Sequence, residues 1–475
     1  MGEDKKTGPY LIDVDAGGVR ASQFDGDGFP ETLTFYRRYP LSAAGALFDG
    51  RITKLDRAND QAFLDIGGST AVLPVRRAKH LAPKSVSGRP VAINDCVQEG
   101  QLIRVQGVAD ALVQDGKALT VTARPRLVGR YAIVEAGSDG TALRVNPSKT
   151  IAAAKSARLT AALKDTQSQS GTIILRSAAG AVDDDIVLAE VGKLIDTLYQ
   201  DSSTPGLLHE TDAIEAALRD TPEGATSIIT TATDQSVLKG LIRRQYPDLL
   251  TLEIYPDVRL HDDAPLTDIL DEAIDEALAD RIALPSGGSL SIHTTPALTA
   301  VDVNLGNAFD GRTAAEAKRL TNMEAALALA YHLRFQNIGG LVVVDFINMT
   351  GKGAIKDLMS VLNEALAEDS VPVQHGGISQ FGLMELTRNR SGLSLADQLQ
   401  TARAPVPRTE ETLITLLNRA TRLGLSAEPG DLVITLTPAM QSVLDTAPIL
   451  LSAVEDQTRR TVKLETGKPD CRLDA

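Results

Sequence analysis

Two short apolar runs each close on an aspartate: Thr299-Ala300-Val301-Asp302-Val303-Asn304 and Leu341-Val342-Val343-Val344-Asp345-Phe346. A carboxylate set in an apolar strand carries a desolvation cost that a cation offsets. If both strands enter one sheet, Asp302 and Asp345 can hold one divalent cation between them, with Asn304 beside the first. Singly, each aspartate fits a residue that merely ends a strand and opens a loop. As a pair they favour the metal reading.

The intervening segment supplies the geometry this chemistry needs. From Thr313 to Phe335 the composition is rich in Ala, Leu, Glu, Lys and Arg, and Leu320, Met323, Leu327, Ala330 and Leu333 recur at helical spacing. Gly339-Gly340 is expected to stop that helix. Strand, helix, strand is the order of a parallel crossover, which brings two strands distant in sequence into one sheet.

At 475 residues the chain exceeds what one core serves, and about three to five domains are expected. The net charge of −14 argues against a phosphate-rich partner. Its distribution argues otherwise, because residues 50–130 hold 13 Lys and Arg against 7 Asp and Glu. This is a basic module on an acidic body, although an ordinary solvated β-surface also accounts for it. Cys96 and Cys471 are far apart and neither belongs to a C-x-x-C pair, so isolated thiols are expected. The six histidines lack zinc-ligand spacing, and His332 reads as a packed or surface residue. No apolar run is long enough to cross a bilayer and the polar start is no secretory signal, which predicts a cytoplasmic protein without a membrane partner. Val342 to Asp345 has the look of a nucleotide-binding strand, yet no G-x-x-x-x-G-K-[ST] loop precedes it.

Upstream, residues 9–49 read as a β-meander. From Gly50, strands at Ile52–Leu55, Gln61–Gly68, Ala71–Val75, Gln101–Val108 and Leu119–Ala123 suit a small closed barrel of the oligonucleotide-binding type. Residues 126–283 alternate strands and helices. Pro405 and Pro407 mark a linker, after which Thr409 is expected to cap a helix ending at Gly424.

Four segments carry a specific likeness: Ala297 to Asn304, Thr321-Asn322-Met323-Glu324-Ala325, Gly339 to Ile347, and Ile378-Ser379-Gln380-Phe381-Gly382-Leu383-Met384-Glu385. Through them the chain resembles the catalytic half of the ribonuclease E/G family of bacterial endoribonucleases. The resemblance implies an α/β, or α+β, multidomain fold. Its parts would be an RNase H-like domain split over 1–49 and 224–283, an S1/OB-type RNA-binding barrel at 50–125, and a 5′-sensor-like domain at 126–223. A DNase I-like catalytic domain at 284–400, a linker at 401–408 and a small C-terminal α/β domain at 409–475 would complete it. It further implies that Asp302 and Asp345 bind Mg²⁺, that Asn304 orients them, and that single-stranded RNA is cut to 5′-phosphate and 3′-hydroxyl ends in RNA processing, rRNA included, or decay. Phe63 would stack a base and Lys117 would contact phosphate, while Arg176 and Ser177 would grip a 5′-monophosphate. Phe63 as a barrel-core residue, and Arg176 paired with Asp183-Asp184-Asp185, are the competing structural readings.

Several positions depart from the family pattern. Ala404-Pro405-Val406-Pro407 stands where many members carry a zinc-sharing C-P-x-C pair, so zinc is not expected and any homodimer would form without that link. Pro296 replaces an acidic residue, Val72 a second aromatic and Gln380 an arginine, and Leu305-Gly306-Asn307-Ala308-Phe309 lacks the usual cation. These losses leave a second reading open, a catalytically weakened RNA-binding paralogue acting through the barrel.

Overall fold

A computed structural model of the chain describes residues 7–38, 43, 45–83, 89–109, 118–137, 143–166, 171–232, 235–257, 264–295, 297–307, 311–349, 351–379, 381–390, 392–401, 404–426 and 429–474. Lys117, Pro296, Gln380 and residues 308–309 lie outside them. Alternating apolar and polar residues build a mixed α/β structure with several separate cores.

The meander forms one five-stranded sheet in the order Ile254–Pro256, Ile228–Thr230, Thr7–Asp15, Gly18–Asp25, Thr34–Arg37. The first three strands run parallel to one another and the last two are antiparallel additions. Residues predicted from either side of the barrel therefore share a ladder.

The barrel closes. Leu47–Asp56 pairs with Gln61–Asp65, which pairs with Thr70–Pro74, then Leu119–Thr122, then Leu102–Ala109, which returns to Leu47–Asp56. Ile52, Ala62, Leu64, Ala71, Leu73, Val105 and Val121 fill it. Two boundaries shift from the sequence expectation. The first barrel strand starts at Leu47, because its ladder to Gln106 is already formed there, and the distant strand Gly206–His209 pairs along its edge. A four-stranded sheet, Arg144–Pro147, Gly171–Leu175, Ala132–Ala136, Arg126–Val128, is covered by helices Ala153–Thr166 and Asp184–Tyr199.

The sheet with the paired aspartates has six strands in the order Ile282–Ala283, Ser289–Thr294, Thr299–Asn304, Gly340–Asp345, Leu383–Arg388, Val373–Ile378. Its two central strands are parallel, as the crossover requires. Val301, Val303, Val342, Val344, Met384 and Leu386 point to one face, where they pack with Ala325, Leu329 and Leu333 of helix Ala314–Phe335 and with Leu358 and Leu362 of helix Lys352–Leu366. The opposite face stays open along the central strands, which alternate between buried and exposed residues.

Helix Ala314–Phe335 begins in a capping box in which the Thr313 hydroxyl accepts from the Glu316 N–H and Glu316 accepts from the Thr313 N–H. Its end differs from expectation. Asn337, at φ 51°, takes the left-handed position, with Asn337 N–H donating to Arg334 O and Ile338 N–H to Leu333 O. The helix is thus closed by a Schellman motif before Gly339-Gly340 is reached. Tyr331 and Arg334 on this helix reach Pro30 O and Glu31, docking the six-stranded sheet's unit on the first sheet.

Where a plain linker is expected, Gln400–Thr401 pairs with Ala404–Pro407. The following helix runs Thr409–Gly424 with Arg408 as its N-cap. Thr409 is already in the first turn and does not cap it. A three-stranded sheet, Val462–Thr466, Asp431–Leu436, Asp470–Asp474, and helices Pro438–Thr446 and Ile449–Thr458 complete the C-terminal unit. Cys96 and Cys471 are free and buried. Among the described residues no helix is long and apolar enough to cross a membrane.

Candidate catalytic face and nucleic-acid interface

Asp302 and Asp345 are register partners on the two parallel central strands. Both are exposed on the open face of their sheet. Register partners on neighbouring strands lie about 4.8 Å apart and point the same way, so the two carboxylates stand side by side. Asn304, two residues on and on the same face, donates from Nδ2 to Asp302 Oδ2 at 2.6 Å. Neither aspartate forms an ion pair among the described residues. Two unneutralised like charges directly opposite each other repel, which an ion placed between them would reverse.

Two polar residues of the long helix hold loops that flank this sheet, and sequence reading passed over both as part of a motif. Buried Asn322 donates from Nδ2 to Ile347 O at 2.7 Å and accepts from Ile347 N–H at 2.9 Å, fixing the chain just beyond Asp345. Glu324 accepts from the Ser286 N–H at 2.9 Å, fixing the loop before Ser289. The available signal was an Asn and a Glu on the helix face that otherwise packs on strands. Behind Asn304 the backbone closes on itself: Gly306, at φ 56°, has the Gly287 oxygen 2.2 Å from where a Cβ would lie, so only glycine fits.

The donor set suits a hard divalent cation. Among the described residues no three His, Cys, Asp or Glu groups surround a common point, which leaves two carboxylates and an amide. Mg²⁺ is held in this way, by one or two carboxylates with water and substrate phosphate completing its shell. A structural zinc site needs four protein ligands, usually nitrogen and sulfur.

On the barrel, Phe63 is half-buried between inward-pointing Ala62 and Leu64 and belongs to the outer wall, not to the core cluster. Lys54 and Val72 are its register partners on either side. The aromatic ring therefore stands on a surface next to a cation, the arrangement a stacked base requires.

Arg176 and Ser177 sit side by side at the end of strand Gly171–Leu175, both half-buried. Arg176 donates from Nη1 to Gly129 O at 2.6 Å. Asp184 of the acidic run pairs with Arg158 and Lys155, and among the described residues no ion pair joins Arg176 to that run. Burial pulls the Arg176 pKa down, opposed in part by Asp220, and arginine remains cationic. The loop it contacts is rigidly held. Glu190 accepts from the N–H groups of Arg130, Tyr131 and Ala132 at 2.8–2.9 Å, while Asp248 accepts from Arg130 Nε and the Tyr131 hydroxyl, each at 2.6 Å. Burial raises the Glu190 pKa and those three N–H contacts oppose the rise.

An α/β protein with an open acidic sheet face and a separate closed barrel is thereby defined, and its kinship follows from comparison. The sequence model of the Ribonuclease E/G family matches residues 126–391, more than half of the chain, and the chain belongs to that family. It is 26% identical over 412 residues to Ribonuclease G of Escherichia coli (strain K12), covering 82% of this chain and 81% of that protein. It is 29% identical over 366 residues to Ribonuclease E of Haemophilus influenzae, covering 74% of this chain and 38% of that longer protein. Ribonuclease E of Escherichia coli (strain K12) is likewise 29% identical, over 376 residues.

Proposed function

We propose that the chain is a Mg²⁺-dependent endoribonuclease that cuts single-stranded RNA on the open face around Asp302 and Asp345. The register pairing of these two aspartates carries the reading. Family membership supports endonucleolytic action on RNA. In this reading the five-stranded sheet is the RNase H-like part, the closed barrel the S1/OB part, and the six-stranded sheet with helices on one face the DNase I-like part.

In this reading Asp302 and Asp345 hold the cation, Asn304 fixes one oxygen of Asp302, and Asn322 and Glu324 keep the flanking loops in place. When bound, the cation polarises the phosphodiester and lowers the pKa of a water molecule. Water attack with departure of the 3′ oxygen leaves 5′-phosphate and 3′-hydroxyl ends. Phe63 stacks a base, and Arg176 with Ser177 receives a 5′-monophosphate. The working site is cytoplasmic.

One observation favours the weakened paralogue: residues 305–309 contain no cation. A single assay separates the two. A 5′-monophosphorylated, unstructured RNA incubated with Mg²⁺ should be cut by the native chain and left intact by Asp302→Asn at unchanged RNA affinity. Equal RNA binding with no metal-dependent cutting by either protein would leave only the binder.

A further inference from the structure

We propose that Arg281 is the cation of the catalytic face and grips the RNA phosphate beside the one held at Asp302 and Asp345; this rests on the nuclease reading above. The edge strand Ile282–Ala283 pairs antiparallel with Ser289–Thr294, Ile282 opposite Leu290 and Ala283 opposite Ser289. Arg281 immediately precedes this strand, at the end of the ladder where Leu290 leads on to Ser291. Ser291 is opposite Asp302, and Asp302 is opposite Asp345. Ser291, Asp302 and Asp345 thus fall on one row across the sheet, and residues of a row share a face; Arg281 stands next to the strand that edges this row.

The side chain is anchored toward the acids. Arg281 Nε donates to Ser289 Oγ at 2.7 Å. Ser289 is 2% exposed and stands opposite Asn304. The arginine therefore leans across the intervening strand toward the Asn304–Asp302 pair. Two strand spacings, on the order of 10 Å, separate the Arg281 and Asp302 backbones, a gap that a long side chain and a phosphate together span. Among the described residues no carboxylate pairs with Arg281, so its two terminal amino groups are available for the bidentate contact that guanidinium makes with phosphate. The face needs such a charge. It also carries Glu385, and residues 305–309 supply no cation to draw a polyanion onto it.

The experiment uses the full chain and a 5′-monophosphorylated, unstructured oligoribonucleotide. Arg281→Ala is expected to lower kcat/KM about 10- to 100-fold, with Arg281→Lys recovering part of the loss and Ser289→Ala, which frees the anchor, falling between. In the non-cleaving Asp302→Asn background, adding Arg281→Ala should reduce the slope of log affinity against log salt by about 0.7, one phosphate contact on a single strand. Thermal midpoints should stay together, because Arg281 is exposed. A kcat/KM within about twofold of native, with an unchanged salt slope, overturns the proposal and leaves the nuclease reading standing. If the native chain itself fails to cut, the nuclease reading falls, and the salt slope alone decides whether Arg281 meets phosphate.

Discussion

Asp345 stands opposite Asp302 in a parallel register, and among the described residues Asp302 alone of the two has a side-chain partner, Asn304. The asymmetry gives Asp345→Asn two effects of opposite sign. Cleavage should fall at least about a hundredfold through loss of a metal ligand. Stability should hold or rise by a few tenths of a kcal/mol, about what relieving a like-charge pair yields. Chelation of the metal should reproduce the activity loss in the native chain. Cleavage rates and urea midpoints measured side by side check this; a marked fall in the urea midpoint would mark Asp345 as a structural residue.

Phe63 projects from the barrel wall beside Lys54 and Val72. Truncation to alanine should weaken RNA binding by about 1–3 kcal/mol, the worth of one stacked base. Thermal stability should change little, because the core beneath is built by Ala62 and Leu64. Val72→Phe should strengthen binding by adding a second stacking surface. Fluorescence anisotropy with a short single-stranded RNA measures both, and an unaltered affinity in Phe63→Ala would remove the aromatic from the interface.

Arg388 and Asp369 form a buried ion pair at 2.7 Å, with side chains 3% and 2% exposed. Arg388 also donates to Asn337 Oδ1 and Ile338 O, tying strand Leu383–Arg388 to the end of the long helix. Removing one partner strands the other charge in the interior. Arg388→Ala should cost about 3–5 kcal/mol, whereas Arg388→Met with Asp369→Leu should recover most of it. Equilibrium urea unfolding of the three proteins tests the pair, and a single-variant loss under about 1 kcal/mol would show the site to be wetter than its burial implies.

The central strands of the six-stranded sheet were legible because the sheet is covered on one face only, so alternation marked the buried positions and left Asp302 and Asp345 on the other. Barrel strands could be read for the same reason. What sequence did not disclose depends on contacts between distant segments. Asn337 ends the long helix because Arg334 O and Leu333 O lie within reach of the following N–H groups, while the nearby glycine pair, a stronger local signal, plays no part. Gly206–His209 belongs to the barrel edge through pairing with residues some 150 positions earlier, which no local pattern encodes. Arg281 lies four residues before a Pro-Ser-Gly-Gly turn and looks unremarkable until the fold sets it next to the strand that edges the row of acids.

Gly129 stands where an added side chain would press on the Glu190 carboxylate. A Cβ there would lie 2.5 Å from the Glu190 carboxylate, and the Gly129 oxygen is the acceptor for Arg176. Gly129→Ala should therefore displace Glu190 from its three N–H donors and turn Arg176 aside. Its expected signature is a selective loss: slower cutting of 5′-monophosphorylated RNA with little change on the 5′-hydroxyl form. Arg176→Ala should show the same selectivity without the destabilisation. Equal losses on both substrates would argue against a role for this loop in reading the 5′ end.

His332 makes acid stability a property of the long helix. Its ring is 4% exposed, Gln336 Nε2 lies 3.2 Å from its Nδ1, and burial pushes its pKa down from 6.5 to about 4. The unfolded chain takes up a proton as pH falls below about 6.5, while the folded chain resists until about 4. The neutral ring's contribution is therefore complete above pH 6.5 and drains away as pH falls through that window, about 3 kcal/mol in all. In His332→Leu, which cannot be protonated, this part of the slope should vanish, so the variant gains on the native chain between pH 7 and pH 4. Urea unfolding at half-unit pH steps measures the difference, and parallel curves for the two proteins would show that His332 does not titrate differently in the folded and unfolded states.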